Sequence, residues 1–186
     1  MRVAVAFMLL VVSTLAGGQA ARSQEFAPSQ DLVVDATRAI ATYFSFLDSG
    51  NAERAYEMMD DAAKASIPVM AFTEQSEKFH AQAGALLDRR LLKFTWLKNP
   101  TDAPLPGIYA AVDIASRFEK IDRHCGYIVL YQRPSGGAFH VMRAESNFID
   151  NATAKKIETT RSKFDLDKAW TELSRNCPNF PSTANP

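Results

Sequence analysis

Two thiols, Cys125 and Cys177, carry the most definite chemistry in this 186-residue chain. Two cysteines admit one pairing, and in an oxidising compartment an even count reads as a disulfide. Two free buried thiols are the alternative. Three histidines are present, His80, His124 and His140. Zinc needs three or four ligands, with Cys or His in close pairs. His124 and Cys125 are adjacent, so on a strand they point to opposite faces and cannot share one ion. His80 falls far away on a helical stretch. No metal or cofactor site is therefore read. Nucleophilic catalysis needs an activated Ser or Cys beside a base, and the chain has no Gly-x-Ser-x-Gly. Gly136-Gly137 forms a turn before a strand rather than a phosphate-cradling loop before a helix.

These residues must be held by an antiparallel sheet built from Leu86 to Ile149. The clearest strand is Ile108 to Lys120, where Ala110, Val112, Ile114 and Phe118 share one parity and Asp113, Arg117 and Glu119 the other. That alternation predicts one buried and one wet face. Asp113 and Arg117 then form a salt bridge on the solvated side. Ile121-Asp122-Arg123 reads as a connection. Cys125 to Gln132 follows, apolar on both parities, as a central strand. Pro134-Ser135-Gly136-Gly137 is a hairpin turn, and Ala138 to Phe148 returns. His140 shares parity with Met142, Ala144 and Phe148, as a core-edge histidine. The first strand is Leu86 to Leu97, with Leu87, Leu91 and Trp96. Pro100, Pro104 and Pro106-Gly107 after it cannot enter a ladder, so they make a loop.

Helices precede and follow the sheet. Asp31 to Ser49 carries Leu32, Ala36, Ala39, Ile40, Tyr43, Phe44 and Leu47 at spacings of three and four. Gly50 is its C-cap and Asn51 the next N-cap. A second helix runs from Ala52 to about Ser66, closed by Pro68, and a third from about Phe72 to Ala83, ended by Gly84. After the sheet, Asn151 caps a helix from Ala152 to about Ser162. Another, capped by Asp165, carries Leu166, Ala169, Trp170 and Leu173. Helices first and an antiparallel sheet second predict an α+β domain over residues 31–176. A polar leader (21–30) precedes it and a tail (177–186) follows.

Residues 1–20 read as a secretory signal peptide. Arg2 precedes an apolar run from Val3 to Val12, and Gly18-Gln19-Ala20 sets small residues before a cleavage point after Ala20. The run is too short to span a bilayer, and no later stretch is apolar enough to do so. Twenty-one acidic and twenty-one basic residues balance and are spread along the chain. This argues against a nucleic acid or an anionic membrane as partner, because both call for a basic patch.

Three blocks resemble the bacterial exported family called domain of unknown function 4019. They are the first helix into Leu47-Asp48-Ser49-Gly50, Ala55-Tyr56 through Gly84 to Arg89, and Leu105-Pro106-Gly107 with the Tyr109 strand and Phe118. The return strand fits too, with Phe139 where the family usually has Trp. The resemblance covers about 31–149 and leaves the C-terminal helices outside. It implies a cystatin-like or nuclear-transport-factor-2-like cone, helices packed on a curved four-stranded sheet. No activity or catalytic motif comes with it. Cone proteins resembling ketosteroid isomerase use a carboxylate base and a tyrosine hydroxyl, parts for which Asp113, Tyr109 and Tyr127 are the candidates.

The function read from the sequence is a non-catalytic accessory or protein-interaction module of the cell envelope, periplasmic or secreted. A binder of a small hydrophobic ligand in the cone is the first alternative. Tyr43, Phe44, Tyr56, Phe72, Phe79, Trp96, Phe118, Tyr127, Phe139 and Phe148 are its candidate lining or, equally, plain core. An isomerase- or hydratase-like enzyme is the second alternative.

Overall fold

A computed structural model describes residues 26–177. The signal peptide and most of the leader and tail read from the sequence lie outside that range. Four helices come first: α1 (Gln30–Asp48), α2 (Ala52–Glu57), α3 (Asp61–Ser66) and α4 (Val69–Ala83). The strands β1 (Leu86–Lys98), β2 (Ile108–Phe118), β3 (Ile121–Gln132) and β4 (His140–Asp150) follow, then α5 (Asn151–Thr160) and α6 (Lys163–Leu173). The sheet is antiparallel throughout, in the order β1-β2-β3-β4. It curves without closing, and the architecture is α+β as the sequence predicts.

The N-terminal helices cover one face, called here the inner face. Ala36, Ile40 and Tyr43 of α1, with Ala55 and Met59, pack on Trp96, Val112, Ile128, Leu130, Phe139 and Val141. The even parity of β2 points inward as expected. The C-terminal helices cover part of the outer face, where Leu166 and Trp170 of α6 and Ala154 of α5 bury Cys125 and Ile149. Arg123 ties α6 down. Its side chain is 7% exposed and reaches Asp122 at 3.0 Å and Asp167 of α6 at 2.7 Å.

Several boundaries differ from the sequence reading. The expected helix from Ala52 to Ser66 is two helices. Between them the backbone leaves the helix to pair with β4: Val141 N–H donates to Met58 O and Asp60 N–H to Val141 O, both at 2.9 Å. The Asp60 side chain then accepts from Ala62 N–H and caps α3. Ile121-Asp122-Arg123 belongs to β3, and the connection is Glu119-Lys120 alone. Asp150, not Asn151, caps α5 by accepting from Thr153 N–H, and Ser162, not Asp165, caps α6. Asn51 does cap α2.

The proline-rich loop between β1 and β2 is pinned by two tyrosines. Tyr109 donates to Leu105 O at 2.8 Å and Tyr131 to Pro106 O at 3.0 Å. Gly107 sits beneath them at φ +155°, and a Cβ there would lie 2.4 Å from Gln132 O. No larger residue fits that approach.

Candidate functional site

The inner face is not filled along its whole length. On α4 the stripe facing the sheet runs Phe72, Ser76, Phe79, Ala83, with Gln75 beside it. A helix that filled its own footprint would carry bulky apolar groups at each of these steps, but its middle is polar or small and its end is Ala83. Across from it, Gly126 on β3 has no side chain, and a Cβ there would lie 2.6 Å from Glu145 O. Gly126 allows this close approach of β4, and the small residues of α4 leave a cavity of about 210 Å³ between α1, α4 and the sheet.

Its walls are mainly aromatic and aliphatic, with a polar set around Arg89 and further polar residues, Gln75, Ser76, Glu145 and Ser146, elsewhere in the lining. Tyr43, Phe44 and Leu47 come from α1, Phe72, Phe79 and Ala83 from α4, and Leu86, Ile114 and Phe118 from the strands. Phe79 meets Phe118 edge to face at 5.4 Å between ring centroids. The polar set is Asp48, Arg89, Ser116, His124 and His80. Arg89 grips Asp48 with both ends of its fork, Nη1–Oδ2 at 2.5 Å and Nη2–Oδ1 at 3.0 Å. Its Nε donates to Ser116 Oγ at 3.1 Å. Its Cζ lies 4.1 Å from the Phe44 ring centroid, a cation–π contact. His80 Nε2 lies 3.3 Å from Asp48 O. A second, more open hollow runs along α1 and β1 from Thr37 to Leu91. It shares Phe44, Asp48 and Arg89 with the cavity, so these three residues stand between the two spaces.

His124 is buried against Phe79 and Phe118, and its Nδ1 has no hydrogen-bond partner. Burial, and then the nearby Arg89 charge, push its pKa down to about 4. The imidazole is therefore neutral at physiological pH. Burial also raises the Tyr43 hydroxyl to about 12.

The acid and tyrosine residues singled out for isomerase-like chemistry do not converge here. Asp113 does lie on the parity opposite Val112 and Ile114, but it is buried (9% exposed) rather than solvated, while Arg117 is exposed. The outer face carries it in a cross-strand ladder, Lys93–Asp113–Tyr127–Glu145, one residue from each strand. Tyr127 and Glu145 border the cavity near Gly126. The Tyr127 hydroxyl is bonded to Glu145, and burial followed by that carboxylate raises it to about 12. Tyr109 is occupied with the proline loop. The expected parity of His140 also fails. A bulge pairs Val129 with Arg143 but Leu130 with Val141, so His140 and Tyr131 face outward while Ala144, opposite Ile128, faces inward.

Cys125 opens onto the outer-face cluster and Cys177 follows a 3₁₀ turn (Ser174–Asn176) after α6. Their Cα atoms are 6.1 Å apart and the sulfurs lie at disulfide distance, within the usual span for a bridge. Among the described residues, no three His, Cys, Asp or Glu converge as metal ligands. No described helix is long and apolar enough to cross a membrane.

Of the aromatic residues proposed as cavity lining, Tyr43, Phe44, Phe72, Phe79 and Phe118 line it, and Tyr127 borders it. Trp96 and Phe139 belong to the packed core. The residues not singled out from the sequence are Asp48, Arg89 and Ser116. Their signal lay in parity: Ser116 interrupts the apolar series of β2, and Arg89 stands two residues from inward-facing Leu91.

A mixed α+β domain with helices enclosing a hollow over a curved antiparallel sheet is the class that fold and site define. The chain belongs to the family described as Protein of unknown function (DUF4019), which it matches over residues 39–142. That match takes in the α1–α4 side of the cavity and ends before α5 and α6. No curated protein and no solved structure matches the chain.

Proposed function

We propose that this is an exported, non-catalytic accessory protein of the cell envelope that holds a small, single-ring apolar ligand between its helices and its sheet. The aromatic-walled cavity carries this reading. At about 210 Å³ it lies below the roughly 300–1,000 Å³ of sites for drug-sized molecules. It exceeds the roughly 150 Å³ apolar cavity known to take benzene. A substituted benzene fits that interval. The ligand's ring packs among Phe44, Phe72, Phe79 and Phe118, and its polar substituent turns toward the Ser116 hydroxyl, which accepts from Arg89 and keeps its own proton to donate.

Export rests on the leader Met1–Ala20 and on two cysteines at disulfide distance. Intact mass of the secreted protein should match cleavage after Ala20; a mature form retaining Val3 to Leu15 contradicts export.

Ala144 provides the test of binding. It lines the cavity from the inner face yet is exposed, so a larger side chain there closes the space without crowding the core. 4-Cresol should raise the melting temperature of the native protein and leave Ala144→Phe unmoved. No shift in the native protein, or equal shifts in both, contradicts the reading. A protein partner is the second reading, supported by exposed Val69 and Met70 at the start of α4 and Phe164 on α6.

A further inference from the structure

We propose that Asp48 sets the charge selectivity of the inner cavity: by occupying the Arg89 guanidinium, it restricts the site to uncharged ligands. This rests on the ligand-binding reading above and narrows it to one chemical class.

Arg89 is the only Lys or Arg lining the cavity among the described residues. A half-buried guanidinium facing a hollow is by itself a receptor for carboxylates, because its planar fork matches two oxygens at once. Here that fork is full. Both Asp48 oxygens occupy it, Ser116 takes the Nε–H, and Phe44 covers the guanidinium plane. The two charged side chains are only 14% and 27% exposed, so water screens them weakly. A ligand carboxylate would have to displace Asp48 or stand beside it as a second negative charge. A cationic ligand would meet Arg89 itself, and Glu145, the other carboxylate in the lining, is already held by Arg143 and Tyr127. His124 adds no charge, since it is neutral near pH 7.

The position of Asp48 also argues for a role beyond local structure. It is the last residue of α1, where the negative end of the helix dipole disfavours a carboxylate. The helix does not favour an acid there; Arg89 does. A residue that breaks a local rule and is rescued by a single distant partner marks a functional position.

The experiment compares the native protein, Asp48→Asn and the double variant Asp48→Asn/Arg89→Met. Each is titrated calorimetrically with 4-cresol, uncharged at pH 7, and with benzoate. The native protein should bind 4-cresol and bind benzoate at least roughly tenfold more weakly. Asp48→Asn frees the fork, and its affinity for benzoate should rise by roughly tenfold or more and weaken with added salt. The double variant should bind benzoate no more tightly than the native protein does.

Retained 4-cresol binding with no benzoate gain in Asp48→Asn overturns the proposal, as does a native protein that takes both ligands equally. If the native protein binds neither ligand, it is the ligand-binding reading itself that falls. Should Asp48→Asn unfold, recovery of its circular dichroism on adding benzoate supports the proposal. Failure to recover, with the double variant folded, overturns it.

Discussion

Asp48 and Arg89 stand 41 residues apart in sequence and meet through two hydrogen bonds at the wall of the inner cavity. The pair joins the end of α1 to β1, and so holds a helix to the edge strand of the sheet. Removing one partner from a buried pair costs about 3–5 kcal/mol because the other charge is stranded. These side chains keep some exposure, so Arg89→Met should cost less, roughly 2 kcal/mol. Asp48→Asn/Arg89→Met should recover most of that loss. Urea midpoints of the singles and the double decide it. Additive losses would mean that the pair does not couple the two elements.

His124 makes stability depend on pH in a defined window. Its folded pKa is near 4, against about 6.5 in an unfolded chain. Between those values the unfolded state holds a proton that the folded state refuses. The stability is therefore full above about pH 6.5 and falls as pH drops toward 4, by roughly 3 kcal/mol at most. His124→Phe should flatten the profile across that window. Chemical denaturation at pH 7, 6 and 5 measures it, and an unchanged slope in the variant would contradict the assignment.

Cys125 and Cys177 meet at disulfide distance where the chain leaves α6. They stand 52 positions apart in sequence, and the chain-entropy model gives a bridge there a stabilisation of roughly 4 kcal/mol. Cys125→Ala, or reduction of the native protein, should lower the melting temperature and raise hydrogen exchange in α6 first, because Arg123–Asp167 and the Trp170 contacts are then left to hold it. Thiol titration of the unreduced, denatured protein should find no free thiol. Two free thiols would show that the sulfurs approach without bonding.

Much of this architecture is legible in the sequence because it follows from period. The alternation of Ala110 to Phe118 fixes the inner face of β2, and the threes and fours from Ala36 to Phe44 fix that of α1. Where tertiary pairing overrides period, the reading fails. The backbone between Met58 and Asp60 pairs with Val141, which splits a helix that local propensity would continue. The bulge near Met142 reverses the parity of His140, and no residue type announces it. The cavity is half legible in the sequence: most of its aromatic lining stands out by helix and strand spacing, while the Asp48–Arg89–Ser116 group does not. Asp48, Arg89 and Ser116 lie on three elements far apart in sequence, and only the packing of α1 on β1 and β2 joins them.

The proposed binding role depends on a small ring entering the space between α4 and the sheet. Methyl-labelled protein titrated with 4-cresol and followed by NMR reads this at the residues concerned. Shifts that saturate, largest at Leu47, Leu86 and Ile114 and absent from Leu166 and Ile149 on the outer face, are the predicted result. Unmoved methyls in the cavity wall at saturating 4-cresol, or shifts confined to the outer face, would contradict it.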